Sequence, residues 1–149
     1  MKKLFLLALL VVGVVGFFYA SSEGYLGGLS GSGDDKREIR DKTIRFFECL
    51  KFKEFKEASA FHNEEDQEAA DIPSMIEDLF QVPPEYLDIQ DIALMYVEID
   101  SSGILAKSKT RCHAKELNTG QEKDHEVILY WKKEADQWFL KLRSSLERY

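Results

Sequence analysis

The residues best suited to chemistry lie close together in the second half of the chain. Ser108, Thr110 and Cys112 occur at every second position of the stretch AKSKTRCHAK. Hydroxyl groups bind polar parts of ligands, and a cysteine thiolate is a nucleophile when a base lowers its pKa. Side chains alternate between the two faces of a strand, so these three would share one face. Because small side chains leave space there, the pattern allows a ligand pocket. Its further lining residues would be Met95, Trp131 and Trp138.

A filled core is the alternative to this pocket, and the sequence favours it. A helix that carries Phe46, Phe47 and Leu50 could pack on the small-residue face and occupy the space. Cys112 would also need a neighbouring base to act as a nucleophile, and none is evident on its face. The sequence therefore predicts no catalytic residue and favours a domain that is not an enzyme.

The opposite face of the same strand is basic. Lys107, Lys109 and Arg111 alternate with the small residues, and His113 and Lys115 continue the line. Such a line can bind an anionic partner. It is also the usual pattern of a solvent-facing strand whose cations pair with neighbouring Asp and Glu residues. Both interpretations stay open at this level.

No metal site and no cofactor are predicted. His62 precedes the acidic stretch Glu64–Glu68, but the spacing matches no known metal-binding loop, and a solvated connection is the better interpretation. His113 and His125 flank a predicted hairpin turn on opposite faces, so they cannot share a zinc ion.

Charge and cysteine content limit the classes of partner and of cross-link. The chain has 149 residues and a formal net charge of −7. An acidic surface repels phosphate backbones, so no nucleic acid partner is expected. Cys49 and Cys112 form no CxxC pair. Outside the cytoplasm they could form one disulfide, and the alternative is two buried thiols.

The N-terminus carries a membrane-targeting pattern. Lys2 and Lys3 precede an uncharged apolar run, Leu4–Ala20. As a helix this run spans about 25 Å, just short of a hydrocarbon core of about 30 Å. It is either a retained signal anchor, which its length favours, or a signal peptide cleaved after Ser22. Both interpretations export the rest of the chain.

Three regions follow from composition. Residues 1–20 are the anchor or signal peptide, residues 21–35 are a flexible linker rich in Gly and Ser, and residues 36–149 are one folded domain. Apolar residues first recur at helical spacing, with a polar connection over 64–71. Pro83 and Pro84 end the helical part. The predicted helices are Asp35–Leu50, Phe52–Phe61 and Ile72–Phe80.

From Ile89 onward the apolar period changes to two, which predicts strands joined by short turns. Matching apolar faces places Cys112 opposite Val127 and Trp131 opposite Trp138. The predicted strands are Ile89–Asp100, Ile104–Leu117, His125–Lys133 and Gln137–Arg143. On the first strand the inward residues would be Ala93, Met95, Val97 and Ile99.

The expected fold is α+β, with N-terminal helices on a curved, four-stranded antiparallel sheet and one hydrophobic helix before them. The helix pair around Phe46–Phe55, the third helix and the meander ending in Trp138–Leu142 resemble the nuclear transport factor 2-like superfamily, most closely its exported bacterial members. The resemblance covers residues 36–143 and implies a cone-shaped fold. No residue matches the Asp or His that the isomerases and dehydratases of that superfamily use in the cone.

The expected function is therefore interaction or binding of a small apolar ligand by a domain tethered in a bacterial envelope. That location implies a single-pass inner-membrane protein whose domain is periplasmic, or a secreted protein after cleavage. The alternative is an isomerase or hydratase that uses the cone, which needs a buried ionisable residue there. Homodimerisation through an apolar patch on the outer sheet face is a third expectation. That patch would comprise Ile128, Tyr130 and Phe139.

Overall fold

The computed structural model of this protein describes residues 27–141, in which helices precede strands along the chain. The predicted α+β class is confirmed. The helices pack on one antiparallel sheet of strand order β1-β2-β3-β4, which is not closed. The compact unit considered below begins at Asp35. The elements are α1 Gly27–Phe52, α2 Phe55–Ser59, α3 Glu64–Ala69, α4 Ile72–Phe80, β1 Leu87–Ile99, β2 Leu105–Glu116, β3 Glu122–Glu134 and β4 Gln137–Leu140.

The first helix begins earlier in the chain than expected. Helix α1 begins at Gly27 rather than Asp35, so part of the predicted linker is helical. The predicted apolar run Leu4–Ala20 lies outside the described residues. Within residues 27–141, no helix is long and apolar enough to cross a membrane.

The connection after α2 is more ordered than its polar composition indicates. Residues 64–69, predicted as a solvated connection, form α3. Asn63 caps this helix, because its side chain accepts a hydrogen bond of 2.8 Å from the Asp66 backbone N–H. The acidic residues that follow Asn63 lie at the helix N-terminus, where negative charge is favourable. Capping chemistry therefore explains a helix that apolar periodicity alone does not indicate.

The remaining helices follow local chemistry as well. Lys53 has a φ of 60°, and this left-handed residue separates α1 from a short α2. The predicted third helix is confirmed as α4, from Ile72 to Phe80. Asp71 caps it through the Ser74 N–H at 3.2 Å, and Gln81, with a φ of 57°, ends it.

Strand β1 contains two irregularities that overturn the predicted inward face at Ala93 and Met95, whereas Val97 and Ile99 face the helices as predicted. Its register against β2 shifts between Ile89 and Asp91 and again between Leu94 and Tyr96. Each shift is a β-bulge, which adds one residue and reverses the face of every later side chain. Ala93 and Met95, predicted to face the core, are exposed as a result. The residues of β1 that face the helices are Leu87, Ile89, Ile92, Leu94, Val97 and Ile99.

The register between the other strands is shifted by two residues from the prediction. Cys112 lies opposite His125 rather than Val127, and Trp131 lies opposite Leu140 rather than Trp138. A shift of two keeps every side chain on its face, so the predicted apolar face is correct. The cause is turn length.

Two turns account for this shift. In the β2–β3 loop the Glu116 N–H donates a hydrogen bond of 2.8 Å to the Gln121 carbonyl. Strand β2 therefore ends at Glu116, one residue before its predicted end at Leu117. The β3–β4 turn has two residues, Ala135 and Asp136, both with positive φ, as in a type I′ hairpin.

Helix α1 crosses the sheet diagonally, and this crossing builds the core. The part of α1 from Asp35 to Lys42 contacts β4, where Lys42 Nζ donates to the Trp138 carbonyl at 2.7 Å. Its middle contacts β2 through Thr43, and its last turn reaches β1, where Lys51 Nζ donates to the Gln90 carbonyl at 3.0 Å. The apolar face of α1 is thereby buried. The buried residues of this face include Ile39, Phe46, Phe47 and Leu50.

Candidate functional site

The predicted pocket face of β2 is part of the core. Ser108, Thr110 and Cys112 are each 0% exposed, and so are Phe46 and Phe47 of α1. This is the filled arrangement that the sequence favoured over a pocket. A ligand that contacted these three side chains would have to displace α1.

Ser108 is a hydrogen-bonding centre within this core. The Trp131 indole Nε1–H donates to Ser108 Oγ at 2.9 Å, and Thr43 Oγ1 lies 2.9 Å from the same oxygen. Thr43 Oγ1 also lies 2.7 Å from the Ile39 carbonyl, which can only accept. A hydroxyl carries one proton, so Thr43 donates to Ile39 and Ser108 donates to Thr43. Ser108 therefore links α1, β2 and β3 instead of facing a ligand.

The other predicted pocket residues are distributed over the fold. Trp138 is buried, and its Nε1–H donates to Asp35 Oδ1 at 3.1 Å. Thr110 Oγ1 is buried with no hydrogen-bond partner among the described residues. Met95, at the second bulge of β1, is 44% exposed and does not face the helices.

The observed register gives Cys112 a possible base that the sequence reasoning missed. His125 is its directly opposite residue on β3, and side chains at such positions lie close together. Burial raises the pKa of the Cys112 thiol to about 12. Burial also lowers the pKa of His125, whose ring packs edge-on against Phe80 at 5.2 Å. Both groups are therefore held neutral, whereas a nucleophilic pair needs a thiolate beside an imidazolium.

The two cysteines do not form a cross-link. Cys49 on α1 and Cys112 on β2 are both buried free thiols. Burial raises the pKa of Cys49 as well. Of the two expectations from the sequence, the structure has the buried thiols.

The basic line on the outer face of β2 is matched by acidic residues of its neighbouring strands. Lys107 Nζ lies 2.9 Å from Glu98 on β1, and Lys109 Nζ lies 2.6 Å from Glu126 on β3. Arg111 shares Glu126 at 3.3 Å. An anionic partner would have to compete with these carboxylates, so the solvent-facing interpretation fits better.

The histidines lie apart, as expected for His113 and His125. The His113 Nδ1 lies 2.7 Å from Asp124 on the outer face, and this contact raises its pKa. His62 is 0% exposed, packs against Phe46, and has its Nδ1 3.0 Å from the Ser59 carbonyl. Among the side chains that the structure describes, no group of acidic, His or Cys residues could hold a metal ion.

An open cavity lies elsewhere, at the end of the sheet where β1 turns into β2. Its volume is about 520 Å³, within the range of roughly 300–1,000 Å³ of small-molecule sites. Trp131 is the one predicted pocket residue that lines it. Its other lining residues are Glu98, Ile99, Asp100, Leu105, Ala106, Lys107, Tyr130 and Lys141.

The rim of this cavity is a turn held by side-chain hydrogen bonds. Asp100 Oδ1 accepts hydrogen bonds from the Ser102 backbone N–H at 3.1 Å and from the Ser102 hydroxyl at 2.5 Å. These bonds lower the pKa of Asp100 and keep it ionised. The turn holds Ile104 and Leu105 in solvent, 49% and 44% exposed. These two adjacent side chains add exposed apolar surface beside the cavity.

The sequence carries a signal for this site. Ile104 and Leu105 follow Asp100-Ser101-Ser102-Gly103, so two large aliphatic residues stand directly after a turn sequence.

No family model matches the chain, and no curated protein shows significant similarity to it.

Proposed function

We propose that this chain is a non-enzymatic binding domain whose ligand is a small, mainly apolar molecule. The cavity beside the β1–β2 turn is the observation that carries the proposal. Ile99 and Leu105 offer an apolar surface there, with the largely buried Trp131 behind them, while Lys107 and Glu98 form an ion pair at its margin. Such a site would bind through contact area, with few polar groups to orient the ligand.

An isomerase or hydratase is less well supported. Such an enzyme needs an ionisable group in an open site, and His125 is the half-buried candidate. The cavity that His125 lines has a volume of about 170 Å³, which is below the usual range for substrates. Substitution of His125 therefore should not impair binding at the larger cavity.

We further propose that Leu4–Ala20 tethers the domain on the outer side of a bacterial inner membrane. The support is the sequence, since two lysines precede the apolar run. The cone-shaped fold of the nuclear transport factor 2-like superfamily belongs to the same proposal and is supported by the order of helices and strands. Mass spectrometry of the protein from membranes tests the tether, because a retained Met1 or Lys2 excludes cleavage after Ser22.

A matched pair of leucine variants tests the binding site. Leu105 lines the cavity and is 44% exposed, whereas Leu117, at the far end of β2, is 55% exposed and is not among its lining residues. With the neutral fluorophore N-phenyl-1-naphthylamine, we expect Leu105→Ser to weaken binding by about fivefold or more. Leu117→Ser should bind like the unmodified chain. Equal effects of both changes would refute the proposed site.

A further inference from the structure

Strand β1 lies at an edge of the sheet. It has 13 residues, and among the described strands it pairs only with β2. An edge strand presents backbone N–H and C=O groups that another chain can pair with. Proteins normally cover or interrupt such an edge.

The helical layer stops short of this edge. Ile92, Leu94 and Val97 point towards the helices but are only half-buried. Their partners across the strand pair are 0% exposed, so burial falls sharply from β2 to β1. Those partners are Cys112, Thr110 and Ser108. A strip of aliphatic surface therefore runs along the edge and would be covered by side chains lying beside β1.

The charge of the edge selects its occupant. Residues 83–102 contain five acidic residues and no Lys or Arg. Of the two acids within Asp91–Ile99, Glu98 is paired with Lys107 of β2 at 2.9 Å, so Asp91 carries the negative charge that a basic partner would meet there. A second copy of β1 would bring acid against acid, which disfavours self-pairing. A partner strand that alternates basic and apolar residues would instead meet complementary charge and the aliphatic strip. The five residues are Glu85, Asp88, Asp91, Glu98 and Asp100.

The two bulges limit where a partner can pair. At the first, the Gln90 carbonyl is already bonded to Lys51 of α1. Beyond it, Asp91–Ile99 continues to the end of the strand, interrupted only at Met95. A bulge on an edge strand hinders indiscriminate pairing, so a partner needs a matching shape.

We propose that the edge of β1 from Asp91 to Ile99 binds an extended segment of a partner protein, rich in Lys or Arg alternating with aliphatic residues, by strand addition. Backbone hydrogen bonds give such a complex its affinity, and alternate side chains give it specificity. This surface takes a protein segment, whereas the cavity is proposed to take a small ligand.

An NMR titration of the full chain in a zwitterionic detergent tests the proposal. The probe is a capped peptide of alternating lysine and valine, about eight residues long. Amide signals of Asp91–Ile99 should shift, and binding should weaken as salt is raised. N-methylation of alternate peptide amides, on the side that faces β1, should weaken binding by about tenfold or more, because it removes backbone donors.

Two charge variants provide the matched control. Asp91 and Asp78 are both exposed acids, on β1 and α4 respectively. Asp91→Asn should weaken peptide binding by about two- to fivefold, while Asp78→Asn should leave it unchanged. Equal weakening by both variants would overturn strand addition by a basic segment. So would undiminished binding of the two N-methylated peptides, one methylated at the odd and one at the even amides, or equal binding of a glutamate–valine peptide. Dimerisation through β1 without peptide would assign the edge to a second copy and overturn it too.

Discussion

At the scale of single residues, Ser108 shows how a polar side chain can be structural in a place where it looks functional. It accepts from Trp131, contacts Thr43, and is fully buried. The type and spacing of Ser108, Thr110 and Cys112 fit a pocket wall and a core equally well. What decides between a pocket wall and a core is the position of α1 over β2, and the local sequence of the strand does not indicate that position.

Removal of the Ser108 hydroxyl should destabilise the fold. Ser108→Ala leaves the buried Trp131 indole N–H without its acceptor, and an unsatisfied buried donor costs about 1–3 kcal/mol. Urea unfolding should show this loss in the free energy of unfolding. Ser101→Ala, at an exposed position of the β1–β2 turn, should change it by less than about 0.5 kcal/mol. Similar values for the two variants would contradict the role of Ser108.

His62 should make stability depend on pH. Burial lowers its pKa in the folded state below the value of 6.5 in the unfolded chain. The unfolded state therefore binds more protons at low pH, so the contribution of His62 is complete above about pH 6.5 and is lost as pH falls towards the folded pKa. His62→Leu should flatten this decline in urea unfolding measured between about pH 7 and pH 5.

His113 supplies a control of opposite sign. Asp124 raises its folded pKa, so its contribution is complete below about pH 6.5 and is lost as pH rises through the folded value. His113→Asn should therefore change the pH dependence in the other direction, by a small amount because the side chain is 39% exposed. An unchanged decline in the His62 variant would show that another group causes it.

At the scale of elements, α4 and the strand order followed from the sequence, but the bulges of β1 did not. Strict alternation assigned Ala93 and Met95 to the core. The aliphatic residues of β1 instead recur at steps of two and three, and each step of three marks a bulge. Reading the largest aliphatic side chains, rather than a fixed period, would have indicated both.

Deletion of a bulge residue should be tolerated better than deletion of a paired one. Without Met95, Leu94 and Val97 would still face the helices in simple alternation. Without Lys109, half of the buried face of β2 would turn outward. We expect circular dichroism to show a cooperative thermal transition for the Met95 deletion and none for the Lys109 deletion. The reverse result would contradict the observed β1–β2 register.

The turns explain why register was the least predictable feature. Each hairpin contains a four-residue sequence typical of a turn, and the two flanking strands can begin to pair at either of two neighbouring positions around it. Ala135 and Asp136 adopt positive φ although neither is glycine. Because a shift of two residues preserves every face, the apolar pattern could not distinguish the two registers.

At the scale of the whole molecule, the core is filled and the two proposed binding surfaces lie at one edge and one end of the sheet. The cavity and the edge of β1 meet at Glu98 and Ile99, so two occupants could influence each other there. The acidic surface, with a net charge of −7 over the chain, favours basic partners.

The most direct measurement uses the two indole N–H signals, because the chain has two tryptophans. Both are buried, but Trp131 lines the proposed cavity and Trp138 does not. Titration with N-phenyl-1-naphthylamine should shift the Trp131 signal, through the ring current of the bound probe, and leave the Trp138 signal in place. A shift of Trp138 alone, or of neither, would contradict the assignment of this cavity as the binding site.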